Sequence, residues 1–189
     1  MMATRSPASK GTDAVALLKS DHRTVEDLFE RFEGSRSKSV KAKLAQQICL
    51  ELSVHATIEE EIFYPGVKEF IEEEVHDEAY VEHDGAKVLI AEILAGSPED
   101  DFYDAKVKVL SEMIKHHVKE EEQRDGMFAQ AKAGGADLKG LGSVLAARKA
   151  ELTAQMKRDG IPIPQTRAMK GAEIKLGAPV EYHPIAADR

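Results

Sequence analysis

The sequence predicts an all-α protein, an up-down four-helix bundle with a C-terminal extra helix and an irregular tail. Three observations predict it. Apolar residues recur at spacings of three and four through long stretches, the period of a helix with one buried face. Clusters of Gly, Pro and Ser cut those stretches into helix-sized lengths. The first two stretches then repeat as the next two, and the short connections between them make neighbouring helices antiparallel.

The first helix is expected from Thr12 to Glu33, capped by Thr12 and stopped by Gly34. Its stripe is Val15, Leu18, His22, Val25, Phe29 and Phe32. The second is expected from Ser39 to Tyr64, with Leu44, Ile48, Leu52 or Glu51, His55, Glu59 and Ile62 inward. Pro65 lacks a backbone donor and disfavours helix at Tyr64, which predicts a kink or break there, with a short helical piece through Glu74. The third helix should run from Val75 to Ala95 on His76, Tyr80, His83, Lys87, Ile90 and Leu94. Ser97 and Pro98 supply a cap and a first turn for a fourth helix from Pro98 to Lys132, on Val107, Leu110, Ile114, His117 and Glu121. Gly134 and Gly135 end it, and a fifth helix follows from Asp137 to Arg158. This divides the chain into a disordered lead (1–11), the bundle (12–132), an accessory helix (137–158) and an irregular tail (159–189).

Composition narrows the function classes. The chain has 189 residues, enough for one domain with an appendage, and its 32% charged and 42% hydrophobic residues suit a soluble globular protein. No apolar run approaches the roughly 20 residues of a membrane span. The opening MMATRSPASKG has no apolar stretch behind its basic residues, so it does not read as a secretory signal. A net charge of −8 argues against a nucleic-acid partner. The single cysteine, Cys49, excludes an intrachain disulfide and a cysteine zinc site, and it reads as an inert buried thiol. These features favour the cytoplasm.

The chemistry lies in six residues on the inward stripes. His55 and Glu59 are four apart, as are His117 and Glu121, and each pair shares one helix face. A lone His precedes each pair: His22 and His83. The repeat offset is 61 residues for the lone His and 62 for both members of the pair. Taken singly, a His on an apolar stripe is usually a hydrogen-bonded core residue, and a His and a Glu four apart are usually a surface pair. Four stripes with ionisable residues at helix mid-length are another matter, because burying such groups is costly unless they are paired or bind metal. In an antiparallel bundle those mid-points meet. Four His and two carboxylates could hold two divalent ions, with Glu59 and Glu121 bridging. His116 and Glu120 offer the same spacing, but His117 continues the apolar stripe, which leaves Glu120 and Glu122 as outer residues. His76 is expected to be an outer or core residue and His183 a surface one; Tyr64 and Tyr80 could reach the edge of the site as donors, with packing as their default role.

At SDHRTVEDLF, HATIEEEIFYP, VEHDGAKVLIAEI and HHVKEEE the chain resembles the hemerythrin-like, or HHE cation-binding, family over about residues 12–132. The resemblance implies a non-heme diiron centre in a four-helix bundle, with His22, His55, His83 and His117 as terminal ligands and Glu59 and Glu121 as bridges. It also implies O2, peroxide or nitric oxide as the small ligand. Family roles range over reversible oxygen binding, oxygen or redox sensing, iron handling and catalase-like decomposition of hydrogen peroxide. In a sensor or iron-handling protein, the C-terminal segment would be the partner contact. The chain departs from the oxygen carriers at Lys87, where they place a further His, and at Glu121, where they use an Asp at a spacing of five. An open coordination position there would favour chemistry on peroxide. Lys87 could instead block the pocket, donate a hydrogen bond to bound oxygen, or turn its ammonium outward.

Overall fold

A computed structural model describes residues 13–170 and 181–183. Helix α1 spans Ala14–Gly34 and α2 spans Lys38–Ile58. A π-helical turn, Glu59–Phe63, joins α2 to the short α3, Tyr64–Val67. Next come α4 (Glu73–Ala95), α5 (Tyr103–Glu122), α6 (Met127–Gly134) and α7 (Leu138–Asp159). The contacts close a ring: α1 packs on α2, α2 on α4, α4 on α5 and α5 on α1. This is the expected four-helix bundle, and α7 lies outside it against α1 and α2. No helix of the described residues is long and apolar enough to cross a membrane.

The inward stripes follow the periodicity. Leu18, Val25, Phe29 and Phe32 are buried on α1, Leu44, Ile48 and Leu52 on α2, and Val107, Leu110 and Ile114 on α5. Cys49 is fully buried in the same core, and burial pushes its thiol well above the ordinary range. Leu145, Leu152 and Met156 bury the inner face of α7. Two ion pairs fix that helix laterally: Lys149 to Asp21 on α1, and a bidentate pair from Arg148 to Glu61 with contacts of 2.7 and 3.1 Å.

Several boundaries differ from expectation. The Asp13 carboxylate caps α1 by accepting the Val15 and Ala16 N–H groups at 3.0 and 3.3 Å, whereas Thr12 lies outside the described residues. Pro65 does not break the helical run, which continues from α2 through the π turn into α3. The Tyr64 N–H reaches back five residues to the Glu59 carbonyl, and this wider turn absorbs the donor that Pro65 lacks.

The fourth helix is shorter than expected and splits in two. Asp100 takes the Ser97 N–H at 2.7 Å, and Phe102 adopts a left-handed conformation (φ 66°), so residues 97–102 form turns and α5 begins at Tyr103. Its far end stops at Glu122, because Gln123 turns extended. Gly126 is needed in this break: a Cβ there would collide with the Glu120 carbonyl oxygen. Gly135, at φ 90°, closes α6 in the left-handed region that glycine tolerates.

The expected lead (1–11) lies outside the described residues, as do 171–180 and 184–189 of the tail. Residues 161–170 are irregular but held. Ile161 is buried, and the buried Asp84 carboxylate accepts the N–H groups of Arg167, Ala168 and Met169 at 2.8, 2.5 and 2.8 Å. Those three donors outweigh burial and hold the Asp84 carboxyl below its ordinary range.

Candidate metal centre

The six expected residues converge at the middle of the bundle, and all are buried. They form two histidine pairs. The Nε2 atoms of His22 and His55 are 3.1 Å apart, and those of His83 and His117 are 3.2 Å apart. Glu59 lies between the pairs, with Oε2 at 3.1 Å from His55 Nε2 and 3.4 Å from His83 Nε2. Glu121 lies between them on the other side, at 3.3 Å from His22 Nε2 and 3.6 Å from His117 Nε2. Each hairpin thus supplies one histidine pair, and each Glu reaches from its own hairpin to a histidine of the other.

Every imidazole turns its Nδ1 toward an outer carboxylate. The partners are Glu122 for His22 (2.7 Å), Asp21 for His55 (3.5 Å), Glu60 for His83 (3.0 Å) and Glu82 for His117 (2.7 Å). For His22, His83 and His117 these are hydrogen bonds, which favour the proton on Nδ1 and turn Nε2 inward, whereas His55 Nδ1 only faces its carboxylate and makes no hydrogen bond. Glu122 was among the outer residues expected from sequence; Asp21, Glu60 and Glu82 were not. The repeat could have found them, because Asp21 and Glu82 directly precede the lone histidines while Glu60 and Glu122 directly follow Glu59 and Glu121. Each outer carboxylate is itself backed by a basic side chain: Asp21 by Lys149, Glu60 by Lys87, Glu122 by Arg23 and Lys19, and Glu82 by His116. Lys87 therefore does not turn out to solvent. It is buried, with its ammonium 2.6 Å from Glu60.

The donor set fits cations. Four imidazoles and two carboxylates meet there, every one of them buried. Glu59 Oε1 and Glu121 Oε2 are buried and accept no hydrogen bond. Without a cation, only protons can relieve this crowding. Burial pulls His55 down, but the Glu59 charge and Asp21 raise it to about 10. Burial likewise opposes charging of His83, and its hydrogen bonds to the Glu59 and Glu60 carboxylates raise it to about 9. Burial also pushes the Glu59 carboxyl up, yet His55 and His83 hold it well below the usual carboxylate range. A divalent ion would replace those protons and meet both lone pairs of each histidine pair.

Tyr64 was expected mainly to pack, yet its hydroxyl enters the centre. It stands 3.1 Å from His83 Nε2, 3.3 Å from Glu121 Oε1 and 3.5 Å from Glu59 Oε2. The π turn is the reason. In an α-helix, residues five apart point roughly 140° away from each other. The i to i+5 turn instead stacks Tyr64 over Glu59. Burial and the charges of Glu59 and Glu121 keep its phenol firmly protonated. Tyr80 stays at the edge, packed on Tyr64, and His76 is a buried neighbour of both rings. His116 and His183 are exposed. On the opposite side, the break before α6 lets Phe128 stack on His22, with ring centroids 5.9 Å apart.

The model of the hemerythrin HHE cation binding domain matches residues 13–129, which span the bundle and all six residues. The chain belongs to the hemerythrin HHE cation-binding family. A structural relative of this HHE protein is a hemerythrin HHE cation binding domain-containing protein from Mycobacterium kansasii, with a TM-score of 0.65 at 23% identity. That alignment covers 76% of this chain and 89% of the other, and at this identity it supports the fold. A DNA nickase from Nostoc sp. is 32% identical over 106 residues, or 56% of this chain. The match spans 30% of that relative's length.

Proposed function

We propose that this HHE protein holds a non-heme diiron centre and binds O2 or reacts with peroxide. In this reading His22 and His55 hold one iron, His83 and His117 hold the other, and Glu59 and Glu121 bridge them. The observation that carries it is the pairing of four inward Nε2 atoms with two buried carboxylates, of which Glu59 Oε1 and Glu121 Oε2 accept no hydrogen bond. Two bridging carboxylates would neutralise half the charge of two divalent ions. Iron, once bound, would supply the electrons exchanged with O2 or peroxide. The chain's own residues set the surroundings. Phe128 and the apolar stripes exclude bulk water, the outer carboxylates fix each imidazole, and Tyr64 offers a protonated hydroxyl inside the centre.

That hydroxyl favours a second reading, catalase-like decomposition of hydrogen peroxide, because it places a proton donor beside His83. The negative net charge keeps nucleic acid outside the proposal. We place the protein in the cytoplasm, where a lone buried thiol such as Cys49 is ordinary.

Metal analysis joined to optical spectra before and after O2 or peroxide tests the main reading. Two irons per chain and a visible band that responds to oxidant are expected, and one zinc per chain with no band would refute it. Oxygen evolution from peroxide, lost in His117→Ala, separates the catalase-like reading from binding alone.

A further inference from the structure

Beside the centre lies a cavity of about 630 Å³. We propose that it is a separate ligand site for an apolar monocarboxylate of medium chain length, held by Arg167. The volume falls within the roughly 300–1,000 Å³ of small-molecule pockets. It far exceeds the roughly 30 Å³ share of a water-sized molecule, so O2 or peroxide does not account for it. Ile90 and Ile114 wall it from the bundle, and Met156 and the 162–164 strap (Pro-Ile-Pro) wall it from outside. Along α4 its lining runs from His83 to Ile90, roughly 10 Å by helical rise, and Arg167 extends it further. Those dimensions and apolar walls suit an extended hydrocarbon chain.

Charge complementarity identifies the headgroup. Of the charged side chains on the cavity wall, Glu60 is matched by Lys87 at 2.6 Å and Glu61 by Arg148 at 2.7 Å. Arg167 has no carboxylate within ion-pair distance among the described residues. Its guanidinium lies over the Tyr80 ring, 5.0 Å from the centroid, and its Nη1 donates to the Tyr80 hydroxyl at 3.1 Å and to the Glu60 carbonyl at 3.4 Å. The rest of its donor fork is available to an anion. The grip of Asp84 on the backbone N–H of Arg167 holds this side chain in place. Arg167 is separate from the six residues of the candidate centre, so its charge is offered to an anion with or without metal. The inner wall includes His55, His83 and His117, so a bound chain would cover the centre from this side.

Calorimetric titration of decanoate and decanol into the full chain, metal-loaded and chelator-treated, tests this. One decanoate per chain is expected in both preparations. Decanol should bind at least about tenfold more weakly, and Arg167→Gln should weaken decanoate by a similar factor, the scale of a charged hydrogen bond. Ile163→Trp, which fills the cavity from the half-buried strap, should abolish binding while circular dichroism stays unchanged. The proposal is overturned by the absence of saturable binding, by equal affinity for decanol and decanoate, or by decanoate binding Arg167→Gln as tightly as the parent.

Discussion

Glu82→Gln probes whether the outer carboxylates tune the proposed centre. Glu82 Oε2 accepts the His117 Nδ1 proton at 2.7 Å, and its other oxygen lies 3.1 Å from His116. The amide preserves shape and an acceptor but removes the charge. A charge-assisted hydrogen bond contributes about 1.5–3 kcal/mol against about 0.5–1.5 kcal/mol for a neutral one. The difference, about 1–1.5 kcal/mol, corresponds to roughly tenfold in affinity for the ion held by His83 and His117. The Glu82 side chain is 18% exposed, so solvent screening keeps the effect at that end of the range. The related substitution Asp21→Asn acts on His55, where the contact is 3.5 Å, and should cost less than tenfold. Anaerobic Fe(II) titration resolves the two binding steps. Each variant should weaken one step and spare the other. Equal weakening of both steps, or none in either variant, would show that the outer carboxylates are only structural.

Other perturbations have equally defined outcomes. Chelator-treated protein should lose thermal stability as pH rises from about 7 to about 10. The folded values of His55 and His83, about 10 and 9, lie above the ordinary 6.5, so their stabilisation is full below 6.5 and lost as pH climbs through those values. Over the same window metal affinity should rise, because the same protons must leave for the ions to bind; titrations at both ends of the window check this. Phe128→Ala removes a buried ring stacked on His22 and should cost about 3–5 kcal/mol in denaturant unfolding, with faster metal loss to a chelator. Asp84→Ala strips three backbone N–H groups of their acceptor, so trypsin should cut after Arg167 and Lys170 faster than in the parent while the metal content is unchanged.

The helices and their inward faces were legible because each long stripe keeps one period against a polar remainder. His22, His55, His83 and His117 stood out as ionisable residues on apolar stripes, and the convergence of their side chains follows from antiparallel packing. Tyr64 was hidden because its position depends on a π turn. Pro65 announced an irregularity, but not that the helix would widen rather than break. The end of α5 was hidden for a different reason. The run from Lys119 to Asp125 is polar and helix-compatible, so only the close approach at Gly126 forces the turn that brings Phe128 over His22. The Asp84 contact was beyond sequence reading altogether, since its three donors are backbone groups of an irregular segment.

The two hairpins repeat through the bridging glutamates and diverge just after them, and this divergence makes the proposed centre unequal. After Glu59 the first hairpin widens into a π turn and delivers Tyr64; at the offset of 62, the second hairpin has Gly126 and an interruption of the helix. The consequences fall on different histidines. His22 is covered by the Phe128 ring. His83 carries the Tyr64 hydroxyl, and it lines the cavity together with His117 and with His55 of the other pair. Two ions with the same count of His and Glu ligands would therefore meet different surroundings: both would have a histidine on the cavity wall, and the one at His83 and His117 would also have the proton donor. Proton transfer to an external molecule should therefore belong to the His83 and His117 side. The repeat builds the ligand set, and its failure beyond Glu59 and Glu121 puts the proton donor on one side of it.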